Sequence, residues 1–205
     1  MTTSSTSKLD KPSEADSKST HDELEHHDHR LFGLVAFLVA DGMTFAGFFA
    51  AYLTYKAVNP ISPDSVYELE LLLPTINTIL LLVSSATFHK AGQALSKKEF
   101  RICQKWLIIT ASLGLAFLVS QMFEYFTLPF GLTDNLYAST FYALTGFHGL
   151  HVTLGTLMIV IVWWQTRFPE GRVNAENKFP LEATELYWHF VDGIWVILFI
   201  ILYLL

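Results

Sequence analysis

The residues best suited to chemistry are protonatable side chains within long apolar stretches. Asp41 stands in one such stretch, His148 and His151 stand three residues apart in another, and so do His189 and Asp192 in a third. Two His at this spacing share a helix face and can ligate a metal. The apolar stretches hold no Glu-x-x-His sequence, so a di-iron carboxylate site is not expected. We favour packing and hydrogen bonding for His148 and His151, with Asp41 or a neighbouring subunit as partner.

Asp41 lies ten residues into its stretch, which is roughly 15 Å along a helix and near the middle of a bilayer. An acid at that depth is costly unless it is neutral or hydrogen-bonded, and intramembrane acids are usually functional. Two interpretations stay open. Asp41 is either a proton-binding group or a structural polar tie between helices.

The last apolar stretch begins with Glu182, Glu185, His189 and Asp192, whose steps of three, four and three place them on one helical stripe. We expect His189 and Asp192 to pair directly, deeper in the membrane than the two glutamates. A structural pair is favoured over proton transfer along the stripe. Glu124 stands near the end of another stretch, where its side chain is expected to snorkel to the interface.

Five apolar stretches carry these residues and predict the fold. Each has about 19 residues or more, and a helix needs roughly 20 to cross the hydrocarbon core. Backbone groups in lipid must be satisfied within their own segment, which favours helices. The sequence therefore predicts an all-α polytopic membrane protein, with five transmembrane helices in one bundle. The predicted spans are about 31–55, 71–89, 106–126, 137–164 and 186–205.

Composition narrows the function further. The 205 residues are 52% hydrophobic with net charge −6, which argues against a nucleic-acid partner. The single Cys103 cannot complete a Cys-rich metal or dinuclear copper site. Residues 1–30 are predicted to be a disordered, polar, His-rich cytoplasmic tail. A weak metal site is the alternative to a solvated cluster for its histidines, which are His21, His26, His27 and His29.

Charge predicts the orientation in the membrane. Twelve of the 13 Lys and Arg residues fall in the tail, between spans two and three, or between spans four and five. The positive-inside rule places the N-terminus in the cytoplasm and the C-terminus outside. Trp163 and Trp164 end the fourth span, and Arg167 follows. Paired indoles beside a cation suit an anionic lipid phosphate, with ordinary interfacial anchoring as the alternative.

Four segments resemble subunit III of the haem–copper cytochrome c oxidases. They are FLVADGMTFAGFFAAY (37–52), FEYFTLPF (123–130), TGFHGLHVTLG (145–155) and YWHFVDGIW (187–195). Their order and spacing also match, and the resemblance runs from about residue 31 to the end. It is closest to the short, five-helix bacterial form, which lacks the first two of the family's seven helices.

The resemblance implies a subunit without haem or copper of its own. Subunit III packs against catalytic subunit I, binds phospholipid between its helices and supports proton uptake. Haem and copper lie in subunits I and II of the complex, which takes electrons from cytochrome c, reduces oxygen to water and pumps protons. The resemblance places this complex in a bacterial-type cell membrane or an internal energy-transducing membrane. Family members commonly have Glu where this chain has Asp41, so the carboxyl reaches less far here.

Three alternatives remain at this stage. A quinol oxidase subunit III is similar in sequence and differs in the copper domain of its partner. A stand-alone proton-coupled carrier would use Asp41 and the histidines, and it would transport protons alone in liposomes. A membrane haem or di-metal enzyme would hold stoichiometric metal, lost in His148→Ala.

Overall fold

Five long helices make up most of the described part of the chain. The computed structural model describes residues 14–58, 71–134, 136–168, 173–174 and 177–205, with side chains from residue 29 onwards. No strand occurs in these described residues, and the all-α fold with five membrane-spanning helices is confirmed. The helices are α1 (Glu14–Val58), α2 (Leu72–Ser96), α3 (Phe100–Thr127), α4 (Leu136–Gln165) and α5 (Phe179–Phe199), which continues as a π-helix (Ile200–Leu204).

The helices extend beyond the apolar stretches that predicted them. α2 continues past His89 to Ser96, and α3 begins at Phe100, six residues before its stretch. Hydropathy marks where the hydrocarbon core begins, whereas backbone hydrogen bonding continues into the polar interface, so hydropathy alone places these ends too early or too late. The turn between α2 and α3 is closed by Lys98, whose φ of 61° is left-handed.

The chain divides into two compact units, Met1–Phe37 and Leu38–Leu205. In the first unit the described residues are helical from Glu14. Residues 1–13 and the side chains of 14–28 lie outside the described part, so the disordered tail stays a prediction, as does the interpretation of its histidines. In the second unit α2 packs against α3 and α5, and α4 also packs against both α3 and α5.

The indole of Trp188 on α5 fills the space between α3 and α4. It is fully buried, and its Nε1–H donates to Ser84 Oγ at 2.9 Å. A Cβ added at Gly114 or Gly155 would lie 2.7 or 2.8 Å from indole carbons, closer than real Cβ contacts. Gly149 has nothing within 4 Å of such an atom. Of Gly146, Gly149 and Gly155, the glycines near His148 in sequence, only Gly155 would bring a Cβ closer than 3.4 Å to a neighbour.

Candidate functional site

The buried polar contact between α1 and α4 joins Asp41 to His151. His151 Nε2 lies 3.2 Å from Asp41 Oδ1, within hydrogen-bond geometry, and 3.1 Å from Oδ2. Both side chains are nearly enclosed, with 12% of Asp41 and 8% of His151 exposed. The rings of Phe45 and Phe147 pack on the imidazole, at 5.2 and 4.6 Å between centroids. The structure therefore brings together a pair that the sequence had offered as one of two partnerships.

The second ring nitrogen decides how the proton is arranged in this pair. His151 Nδ1 is 2.7 Å from the carbonyl oxygen of Phe147, which can only accept, so Nδ1 carries a hydrogen and donates it. Either the imidazole is charged and its Nε2–H donates to an Asp41 carboxylate, or both groups are neutral and the acid O–H donates to Nε2. In both arrangements one proton lies between the two side chains. This geometry suits a proton-binding group as well as a polar tie.

His148 points to different neighbours from His151, although the two are three residues apart. Its ring is fully buried between Phe117 on α3, at 5.8 Å, and Trp195 on α5, at 5.1 Å. Neither ring nitrogen has a hydrogen-bond partner among the described residues. Among those residues no group of three or more His, Cys, Asp or Glu is placed to hold a metal ion. The hydrogen-bonding part of the prediction thus applies to His151 and not to His148.

A second polar cluster joins α2 to α5. We call His89, Glu185, His189, Ser85 and Asp192 the α2–α5 cluster. His89 Nδ1 lies 3.1 Å from Glu185 Oε1, which lies 3.6 Å from His189 Nε2. His189 Nδ1 lies 2.9 Å from Ser85 Oγ, and the Ser85 hydroxyl donates to Asp192 Oδ2. The cluster connects an exposed imidazole to a buried carboxyl.

The sequence identified only one helix of this cluster. Ser85 stands between His189 and Asp192, so the expected direct pair is bridged by a hydroxyl. The sequence reading missed Ser85 and His89. These two residues are spaced four positions apart, which is also the spacing of Glu185 and His189. Matching polar spacings on two apolar helices were the available signal. Glu182, the first member of the predicted stripe, is exposed.

Glu124 is buried rather than snorkelling, which corrects the expectation from its position. Only 5% of the residue is exposed. Tyr203 donates its hydroxyl hydrogen to Oε1 at 2.8 Å, and Gln121 Nε2 donates to Oε2 at 3.1 Å. These donors replace the water that an interfacial carboxylate would find, because Tyr203, on the π-helix that continues α5, reaches the Glu124 carboxyl on α3. Nothing near Glu124 in sequence pointed to Tyr203.

Arg167 and the paired indoles lie together at the end of α4. The guanidinium carbon is 4.9 Å from the Trp163 ring centroid and 5.9 Å from that of Trp164. Trp163 also lines a cavity of about 580 Å³ between α3 and α4. The other lining residues are mostly apolar: Leu107, Ile108, Ala111, Ser112, Leu115, Leu118, Thr153, Thr156, Leu157 and Val160. Arg167 thus packs on an indole, that of Trp163, which also lines a mostly apolar cavity between α3 and α4.

Comparison with known proteins identifies relatives over nearly the whole chain. The sequence model described as cytochrome c oxidase subunit III matches residues 2–205. A Synechocystis sp. protein named cytochrome c oxidase subunit 3 is 52% identical over 186 residues, covering 90% of this chain and 79% of the relative. The Thermostichus vulcanus protein of that name is 46% identical over 181 residues, covering 88% and 90%. The Mus musculus protein is 36% identical over 184 residues, covering 84% and 68%.

Proposed function

Because the chain belongs to the cytochrome c oxidase subunit III family, we propose that it is the non-redox accessory subunit III of a proton-pumping terminal oxidase. Family membership implies a complex with other oxidase subunits. In the proposed complex, subunits I and II hold the haem and copper and reduce oxygen with electrons from cytochrome c. The family match over residues 2–205, which contain all five membrane-spanning helices, carries the proposal.

The first proposed task is to stabilise subunit I. From Leu38 onwards α1 buries Leu38, Phe45 and Tyr52, one residue in seven, and leaves apolar side chains such as Met43 and Phe48 exposed. In lipid, helices associate through close packing rather than through apolar burial. The exposed faces therefore have to be covered by lipid or by a partner's helices, and subunit I is the proposed partner.

The second proposed task is to hold a phospholipid. The cavity between α3 and α4 is apolar enough for an acyl chain, and Arg167, which packs on Trp163 of its lining, offers a charge-assisted contact to a phosphate. The indoles of Trp163 and Trp164 suit headgroup depth. The apolar cavity, the cation of Arg167 and the two indoles together support the proposal of a phospholipid site.

The third proposed task is to support proton uptake. In the proposed role, Asp41 and His151 share one proton through their contact, which aromatic rings enclose and which the sequence predicts to lie near mid-membrane. A proton-bearing pair on a subunit beside a proton pump can buffer its supply. The proposed orientation, with the N-terminus in the cytoplasm and the C-terminus outside, follows the distribution of Lys and Arg.

Purification in mild detergent through a tag on this chain tests the proposal. We expect a haem protein to co-purify, and its optical spectrum to remain with the partner when this chain is stripped away. Mass spectrometry of the same sample identifies retained phospholipid. A copper domain in the partner distinguishes a cytochrome c oxidase from a quinol oxidase. Iron or copper bound tightly to the isolated chain, or proton transport by this chain alone in liposomes, would contradict the proposal.

A further inference from the structure

The α2–α5 cluster has a connectivity that a simple structural tie does not require. Ser85 and Asp192 are each the fourteenth residue of their spans, which have 25 and 26 residues. Both therefore lie near the middle of their helices. His89, by contrast, has 65% of its side chain exposed. A series of polar groups thus leads from the exposed His89 to the buried carboxyl of Asp192; its Glu185–His189 link is an ion-pair contact at 3.6 Å, and His189 has 42% of its side chain exposed.

From this connectivity we propose that Ser85, His189 and Asp192 form a proton-binding site, in which one proton is shared between the imidazole and the carboxyl through the serine hydroxyl. Glu185 and His89 form its entrance. The proposal rests on the proposed role in proton supply and deepens it, by naming a site separate from the Asp41–His151 pair.

The hydroxyl of Ser85 can form two hydrogen bonds in either of two proton arrangements, one with the proton on His189 and one with the proton on Asp192. In the first, charged His189 donates Nδ1–H to Ser85 Oγ, and the hydroxyl donates to the Asp192 carboxylate. In the second, Asp192 is an acid that donates to Ser85 Oγ, and the hydroxyl donates to Nδ1 of a neutral ring. Going from the first to the second breaks Nδ1–H and Oγ–H bonds and forms Oγ–H and Oδ2–H bonds. Two hydrogens shift in concert, so the net result is one proton passed from the imidazole to the carboxyl, and the serine keeps one hydrogen.

Each of the two proton arrangements is favoured by one feature of the surroundings. Asp192 Oδ1 is buried and has no hydrogen-bond partner among the described residues, which disfavours a carboxylate there. Glu185 Oε1 faces His189 Nε2, which favours a charged imidazole. The proton is therefore drawn towards the carboxyl by one neighbour and towards the ring by the other.

The entrance is a cavity of about 380 Å³, lined by the end of α2 and the beginning of α5. His89 and Glu185 line it, so a proton taken from this cavity reaches His189 through Glu185. The other charged groups that line the cavity are Lys97, Lys178 and Glu182. These three residues line only the cavity, so the path that we propose from the cavity to Asp192 runs through the residues of the α2–α5 cluster.

Infrared difference spectroscopy of the complex isolated through this chain tests the site. The complex is titrated with acid in H₂O and in D₂O. We expect a carboxylic-acid C=O band that shifts in D₂O, appears on acidification, and is lost in Asp192→Asn. In the intact site this band and the imidazole ring bands should change together. In Ser85→Ala they should change at different pH values, and Ser85→Thr, which keeps the hydroxyl, should restore the coupling.

Controls separate this proposal from the function of the whole chain. Glu182→Gln alters an exposed carboxyl at the same entrance and should leave the acid band and the coupling unchanged. Should Asp192→Asn fail to fold, the Ser85→Ala and Ser85→Thr pair still decides the matter. An acid band that persists in Asp192→Asn, or bands that stay coupled in Ser85→Ala, would overturn the site. Retention of the haem partner in every variant is scored separately and bears only on the oxidase role.

Discussion

Replacing Gly155 with Ala is expected to destabilise the protein through Trp188. The added Cβ would lie 2.8 and 3.0 Å from two indole carbons and 3.2 Å from Tyr187 Cε1. The closest of these is about 0.6 Å short of the 3.4 Å at which ordinary contact begins. The indole cannot withdraw freely, because it is fully buried, lies against Gly114 on the opposite helix and is hydrogen-bonded to Ser84.

The size of the effect follows from two opposing contributions. Overpacking of a filled interior costs about 1–3 kcal/mol, whereas Gly→Ala within a helix gains about 1 kcal/mol. Gly149→Ala, on the same helix with open space around the new atom, has the gain without the clash. We therefore expect the free energy of unfolding of Gly155→Ala to lie about 1–3 kcal/mol below that of Gly149→Ala.

Unfolding of both variants in mixed micelles with a denaturing detergent, followed by tryptophan fluorescence, measures this difference. Combining Gly155→Ala with Trp188→Phe should recover part of the loss, because the smaller ring removes the atoms that clash. Equal stability of Gly155→Ala and Gly149→Ala would refute the packing argument, since the two differ only in what the methyl group meets.

Three further predictions concern the polar groups. Asp41→Asn should preserve the contact with the facing imidazole, whereas Asp41→Leu should lower the free energy of unfolding by about 1–3 kcal/mol, because it leaves a buried nitrogen unpaired. In the assembled oxidase both variants should keep electron transfer and weaken proton pumping or the lifetime of the enzyme. Unchanged pumping and lifetime would count against a proton role. Tyr203→Phe should cost about 1–3 kcal/mol in thermal unfolding, because the buried Glu124 loses a donor, and a similar loss in a Glu124→Leu background would show that the contact is not the cause. Arg167→Gln should reduce co-purified anionic phospholipid measured by mass spectrometry, and Arg101→Gln, at an exposed arginine of α3, should not.

The residues that the sequence misplaced share one cause. Glu124 was expected at the interface because it stands near the end of an apolar stretch, yet its donor Tyr203 is 79 residues away in the chain. Ser85 was overlooked because a hydroxyl in an apolar stretch is compatible with any helix, and its partner Asp192 is 107 residues away. Spacing along one helix reports its own faces and carries no information on the helix opposite.

The sequence by itself determined the number of spans and their all-helical character, and it offered Asp41, His151, His189 and Asp192 as candidate functional side chains. These follow from local rules, because a bilayer sets the length of an apolar segment and backbone groups in lipid must bond within it. Only the tertiary structure decided that Asp41 meets His151, that His148 remains without a hydrogen bond, and that a serine bridges α2 to α5. Lipid is as apolar as the helix surfaces, so hydropathy does not specify which faces pack; close fit at Gly155 and a few buried hydrogen bonds do.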